Sequence, residues 1–223
     1  MAPRQVVVAG GTGLVGRQVL RQLAARSDVE VTALVRRTGA GLPEGVRERS
    51  FDYEQEASYE ALGGEIPCDL LLCCLGTTRK KAGSNKAFRR VDRDYPLRLL
   101  NRLQQLPGRP VFGLVSSVGA DRGIGLYLKT KAEVEEAVRS SGLPYVMVRP
   151  SLLVGEREES RLGERLVLAI SVPLFGVLQH IVPKEMIARY APIEGSQVAS
   201  ALIRGALDTR EPHLILEGTE LLG

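Results

Sequence analysis

The sequence predicts an α/β protein: a doubly wound parallel sheet of six or seven strands with a small C-terminal lobe facing the substrate. Three observations predict it. Val6–Val8 is continuously apolar and Asp69–Leu75 almost entirely so, rather than alternating, as strands covered on both faces are. Strand-like and helix-like segments alternate along most of the chain, the pattern of a parallel sheet. The first strand breaks into Gly10-x-x-Gly13-x-x-Gly16 and then into a helical stretch, Leu14, Val15, Val19, Leu20 and Leu23.

A helix that opens directly after a buried strand offers unpaired N–H groups and the positive end of its dipole, so it can hold an anion. Each glycine has its own reason to lack a side chain. Gly10 makes the tight turn, Gly13 admits a pyrophosphate close to the backbone, and Gly16 lets helix pack on strand. With Thr12, Leu14 and Val15 they form the expected dinucleotide cradle. The second strand, Glu30–Val35, ends in Arg36-Arg37. About twenty residues past the glycines, a carboxylate takes a ribose 2′-hydroxyl or an arginine takes a 2′-phosphate. Two guanidinium forks and no acid favour NADP(H) over NAD(H).

The third strand, Val46–Phe51, is followed by Asp52, a candidate acceptor for an adenine amino group, and by a short helix over 56–62. The fourth, Asp69–Leu75, is almost entirely apolar and therefore central. It runs into Gly76-Thr77-Thr78-Arg79-Lys80-Lys81-Ala82-Gly83, a glycine-bounded basic loop. Ligands sit beyond the carboxyl ends of parallel strands, which places Leu75, Gly76 and Thr77 at the cofactor and the basic loop over cofactor or substrate. Helical periodicity covers 85–106, with Pro96 placed to kink or divide it. Pro110–Ser116 is the fifth strand. A helix from near Leu126 stops at Ser141-Gly142, Tyr145–Val148 is the sixth strand, and Leu214–Glu217 is a candidate seventh.

The candidate chemistry lies on the helix after the fifth strand. Tyr127 and Lys131 are four apart and share a face. A phenol is a poor acid at neutral pH, its free pKa being about 10, and a neighbouring ammonium brings such a group toward the working range. Ser117 is placed to give a hydroxyl to a substrate carbonyl, although strand register decides whether Ser116 or Ser117 faces the pocket. Lys129, two residues from Tyr127, points into solvent.

The composition is that of an ordinary globular protein, 44% apolar and 25% charged. A net charge of +4 with no Trp and 4% aromatic residues supplies no ring-studded basic stripe, which argues against nucleic acid as a partner. Three cysteines have neither disulfide nor metal-ligand spacing, and Cys73 and Cys74 read as buried thiols. No stretch approaches a membrane span, and strand-like residues begin almost at Met1, leaving no room for a signal peptide. These features predict one cytosolic domain over 1–223 with no membrane partner. Oligomeric state is left open.

The set Ser117, Tyr127 and Lys131 after an upstream glycine turn resembles the short-chain dehydrogenase/reductase superfamily of Rossmann proteins. Longer motifs resemble one atypical branch, that of the Tat-interactive protein: Cys73–Gly83, Arg-Val-Asp-Arg-Asp-Tyr over 90–95, Val-Arg-Pro-Ser-Leu-Leu over 148–153, Glu158-Glu159-Ser160-Arg161 and Gly163-Glu164. The resemblance implies an NADP(H)-dependent oxidoreductase acting on a small carbonyl or alcohol. Tyr127 would be the general acid/base, Lys131 would bind the nicotinamide ribose and tune Tyr127, and Ser117 would orient the carbonyl. By the same resemblance Pro150, Leu152 and Leu153 would line the nicotinamide pocket. An NADP(H)-binding regulatory or scaffold protein with little turnover is the alternative, since fold does not fix function. One departure is Gln197, where many members carry Asp; Ser196 is still available to cap that helix. Residues 150–212, including the apolar stretch Leu166–Leu178 and His180–Tyr190, are expected to supply most of a substrate-side cap, with His180 and His213 in structural or surface roles.

Overall fold

The computed structural model describes residues 2–154, 189–208 and 213–223. Its main sheet contains seven parallel strands: β1 (Arg4–Ala9), β2 (Val29–Val35), β3 (Val46–Ser50), β4 (Leu70–Cys73), β5 (Val111–Val115), β6 (Tyr145–Arg149) and β9 (His213–Glu217), in the order β3-β2-β1-β4-β5-β6-β9. A short pair, β7 (Leu153–Val154) and β8 (Ile193–Glu194), stands apart. The seventh strand of the main sheet is the C-terminal one, paired with β6 from Tyr145↔His213 to Arg149↔Glu217.

The helices divide between the two faces. On one, α1 (Leu14–Ala24) and α7 (Gly195–Ile203) cover Val6, Val8, Val31, Ala33, Leu70, Leu72, Val146 and Val148. On the other, α2 (Glu56–Glu60), α5 (Tyr95–Gln104) and α6 (Gly125–Ser140) cover Val7, Ala9, Leu34, Leu71, Cys73, Phe112, Leu114 and Met147. Successive residues of one strand thus enter opposite cores, which is why the central strands are apolar throughout.

Strand order reverses between β1 and β4, and the crevice beyond their carboxyl ends is where such a sheet receives a ligand. There the turn after β1 abuts the chain leaving β4. A Cβ at Gly10 would lie 2.6 Å from the Cys74 carbonyl carbon and oxygen, and Gly10 has φ +81°.

The predicted helix over 85–106 is three pieces. α4 (Asn85–Arg89) runs into a π turn, Arg90–Asp94, and then into α5. The cause is Pro96, which lies in the first turn of α5 and has no N–H for the ladder. The ladder widens just before it, and the Tyr95 N–H donates to Arg90 O, five residues back.

The helix after β8 also differs from expectation. Its cap is Glu194 rather than Ser196, because Glu194 has the extended φ/ψ of a cap while Ser196 is already inside the helix. Gln197 completes a capping box, its Oε1 accepting from the Glu194 N–H at 3.1 Å. The departure at Gln197 therefore serves the helix start. No described helix is long and apolar enough to cross a membrane. The expected cap elements Leu166–Leu178 and His180, and the motifs at 158–161 and 163–164, lie outside the described residues. His213 is exposed on β9, 4.9 Å from the Tyr145 ring.

Candidate functional site

The glycine turn is shaped for a diphosphate. Gly13 is the N-cap of α1, with no side chain capping the helix and no acid in its first turn. A Cβ at Gly16 would stand 2.2 Å from Gly10 O, so that glycine is required by packing alone. At Gly13 a Cβ would meet only Gly10 O, at 3.3 Å, and the residue is otherwise open. Thr12 and Gly13 are exposed, Leu14 is half-buried and Val15 is buried. Arg17 braces the turn, its Nε donating to Thr12 O at 3.2 Å. Open backbone at the positive end of an eleven-residue helix fits the phosphates of a dinucleotide.

Arg36 and Arg37 follow β2 and are both exposed. Asp52 is exposed too, but one of its oxygens closes a turn, Oδ1 accepting from the Glu54 N–H at 2.9 Å.

Across the switch point, Leu75 and Thr77 are half-buried and Gly76 is exposed. The Thr77 N–H donates to Asp92 Oδ2 at 2.8 Å, and Asp92 Oδ1 lies 3.1 Å from Lys131 Nζ. Asp92 comes from the π turn and Lys131 from α6, so one carboxylate joins three elements. Burial opposes the Lys131 charge, but the Asp92 carboxylate, with smaller help from Tyr127 and Cys73, outweighs it and holds the ammonium above the ordinary lysine range. A turn of helix earlier, Tyr127 is 42% exposed, with Lys131 Nζ 6.0 Å from its ring centroid. The Phe88 ring of α4 lies 6.0 Å from it on another side. Lys129 is exposed, as its spacing predicts. These contacts form one chain: Gly10 on the chain leaving β4, Thr77 on Asp92, Asp92 on Lys131, and Lys131 under Tyr127.

The two serines after β5 separate cleanly. Ser116 is buried and donates to Glu135 Oε1 at 2.5 Å, behind the site. Ser117 is half-buried, and among the described residues its Oγ makes only a 3.3 Å contact with Val118 O, so it is the serine with a hydroxyl to spare. The backbone around it is fixed by the Val118 N–H, which donates to Pro150 O at 2.9 Å. Pro150 is buried, Leu153 opens β7, and Leu152 is 40% exposed.

Behind Ser116 lies an ionic network. Arg149 grips Glu135 with two hydrogen bonds, Nε to Oε1 at 3.0 Å and Nη2 to Oε2 at 2.6 Å. It also reaches Glu217 at 3.3 Å. Arg189 joins Glu217 at 3.2 Å to Asp121 at 3.3 Å, in the loop leading to Tyr127. Asp92 and this network were not singled out by the sequence reading. A signal for Asp92 existed: it is an acid on the same helical stripe as Phe88, Val91, Tyr95 and Leu99, and an acid facing a core needs a partner. Of the cysteines, Cys73 is fully buried and Cys74 partly so, and burial pushes the Cys73 thiol up to about 11.

A family model described as NAD(P)H-binding matches residues 10–167. Protein HTATIP2 of Rattus norvegicus is 36% identical over 173 residues, covering 74% of this chain and 69% of that protein. Protein FMP52, mitochondrial, of Candida albicans is 31% identical over 170 residues, 73% of this chain and 73% of that one. Among solved structures, the UDP-glucose 4-epimerase of Thermus thermophilus in complex with NAD superposes with a TM-score of 0.70 at 20% identity. That match covers 97% of this chain and 80% of the epimerase, and at such identity it shows the fold.

Proposed function

The chain belongs to the NAD(P)H-binding family, as an atypical member of the short-chain dehydrogenase/reductase superfamily, and on that footing we propose that it is an NADP(H)-dependent oxidoreductase acting on a carbonyl or alcohol. The chemistry a bound nicotinamide brings is hydride exchange with the carbonyl or alcohol carbon. Gly10, Thr12, Gly13, Leu14, Val15 and Gly16 receive the diphosphate. Arg36 and Arg37 take the 2′-phosphate, which makes NADP(H) the preferred cofactor. Asp52 stands at the adenine, and Leu75, Gly76, Thr77, Pro150, Leu152 and Leu153 line the nicotinamide end.

In the reductive direction Tyr127 gives its hydroxyl proton to the carbonyl oxygen. Lys131 steadies the phenolate left behind and hydrogen-bonds the ribose, while the Ser117 hydroxyl orients the carbonyl. The observation that carries this reading is the buried Lys131 ammonium beneath the half-exposed Tyr127 ring, tied through Asp92 and Thr77 to the strand ends where the glycine turn lies. We place the protein in the cytosol, and fractionation tests that against the mitochondrial location in the names of its fungal relatives.

Tyr127→Phe tests the chemistry. A panel of aldehydes, ketones and alcohols is screened by NADPH oxidation and NADP reduction, and the best substrate is carried to the variant. Turnover should fall on the order of 10²–10⁴-fold while NADPH affinity stays within about twofold. Undiminished turnover in the variant overturns Tyr127 as the acid. Tight NADPH binding with no turnover across the panel selects the regulatory protein instead.

A further inference from the structure

Between Asp69 and Asp92 the chain has no acidic residue and six basic ones: Arg79, Lys80, Lys81, Lys86, Arg89 and Arg90. Two of the six pair with carboxylates among the described residues. Arg89 meets Glu133 at 2.7 Å and Arg90 meets Glu54 at 3.0 Å. Arg93 and Arg98, farther along, likewise meet Glu133 and Glu56. Arg79, Lys80 and Lys86 break that habit: they are exposed, and no carboxylate among the described residues pairs with them.

Their segment is ordered. Thr78 Oγ1 accepts from the Lys81 N–H at 3.1 Å and starts the short helix α3 (Arg79–Ala82), which Gly83 ends at φ +79°. Ser84 Oγ accepts from the Ala87 N–H at 3.1 Å and starts α4. Both ends are fastened to the candidate catalytic pair. At the N-terminal end Thr77 is bound to Asp92 and through it to Lys131; at the C-terminal end Phe88 lies against Tyr127. Arg79, Lys80 and Lys86, with no described carboxylate beside them, therefore lie on a hoop hung between Lys131 and Tyr127.

The cofactor has no evident claim on them. Its diphosphate belongs to the start of α1 and its 2′-phosphate to the end of β2, on the far side of the switch point from this hoop. We propose that the substrate carries an anionic group, a carboxylate or a phosphate, and that Arg79, Lys80 and Lys86 receive it at the mouth of the Tyr127 site. The proposal rests on the oxidoreductase reading above. It adds the class of substrate: an aldehyde, ketone or alcohol whose reacting carbon lies beside the phenol and whose charge reaches the hoop. Ile124, 72% exposed three residues before Tyr127, and the rings of Phe88 and Tyr127 offer contact to an apolar body between the two ends.

The test uses the whole chain loaded with NADP+, after NADPH affinity has been measured on the same preparation. Calorimetry compares benzaldehyde with 4-carboxybenzaldehyde and 4-formylphenyl phosphate, in the parent and in the triple variant Arg79→Ala, Lys80→Ala, Lys86→Ala. At low salt at least one anionic probe should bind about tenfold tighter than benzaldehyde, the sum of three weak exposed pairings. The preference should shrink as salt rises and vanish in the variant, whose NADPH affinity and melting temperature stay those of the parent. Which anionic probe gains more separates carboxylate from phosphate. No preference in the parent, whether all probes bind alike or none binds, overturns the proposal, and so does a preference that survives the triple change. A variant that loses NADPH affinity assigns the cations to the cofactor and overturns it as well. Failure of the parent to bind NADPH is a different result: it removes the oxidoreductase reading itself.

Discussion

Lys131 Nζ stands 3.1 Å from Asp92 Oδ1, and neither side chain is more than 6% exposed. A buried ammonium would shed its charge if left alone. Here the carboxylate keeps it charged, and the other oxygen of the same carboxylate holds the Thr77 amide. The loop over β4 and the helix carrying Tyr127 are thus set by one acid.

Replacing Asp92 by Asn keeps an acceptor for Thr77 and removes the negative charge. Burial, the largest influence on Lys131, then loses its main counterweight, with only Tyr127 and Cys73 still opposing it, and the pH at which the ammonium loses its proton falls. The alkaline limb of the kcat/KM profile should move to lower pH, with the acid limb in place. A merely structural Asp92 predicts a loss of equal size at every pH, so the profile from about pH 6 to 10 decides.

Gly13 and Gly16 should separate binding from folding. Gly16→Ala drives a methyl to 2.2 Å from Gly10 O, and backbone must shift. Gly13 has φ −79° and ψ 173°, which alanine adopts, and its Cβ meets only one atom, at 3.3 Å. Gly16→Ala should lower the melting temperature by several degrees, as about 1–3 kcal/mol of overpacking does. Gly13→Ala should melt within a degree or two of the parent and lose NADPH affinity about tenfold or more, because the methyl occupies the anion's approach. Equal NADPH affinity in Gly13→Ala and the parent would remove the diphosphate from this turn.

Cofactor choice turns on Arg36 and Arg37. Both are exposed at the end of β2, and their joint replacement by Ala deletes two donors from the place of a 2′-phosphate. NADPH should weaken about 10- to 100-fold, a loss of about 1.4–2.7 kcal/mol for the two exposed contacts together, while NADH changes by less than about twofold. Parallel loss for both cofactors, read by fluorescence titration, shows that the arginines do not discriminate between them.

The central sheet and the glycine turn were legible because both faces of those strands are covered, which leaves a continuous apolar run that little else in a globular chain produces. Tyr127 and Lys131 were legible because a helical spacing of four survives whatever surrounds it. Three features depend on contacts distant in sequence. Periodicity over 85–106 reports a helix but not the π turn Arg90–Asp94, which comes from the missing N–H of Pro96. Asp92 follows from that turn and from Lys131, thirty-nine positions on. Ser116 and Ser117 differ only by strand register, and it is Glu135 that claims the first.

Glu135 also gives a pH-dependent prediction. Burial alone would raise its carboxyl pKa, but hydrogen bonds from Arg149 and Ser116 outweigh burial and hold it below the ordinary 4.5. A carboxyl depressed in the folded state contributes stability above its unfolded pKa, and that contribution disappears as pH falls through the folded value. Glu135→Gln leaves the Arg149 charge buried with only Glu217 beside it, so at pH 7 the variant should be less stable by about 3–5 kcal/mol. As pH falls below about 4.5 the unfolded chain's glutamate takes up a proton while the folded parent's Glu135 does so only at its lower value, so the gap should begin to narrow near pH 4.5 and close through that lower value. Urea unfolding of both proteins from pH 7 to 3 measures it. A gap that stays constant over that range would mean that packing around Glu135, and not its charge, holds β6 to α6.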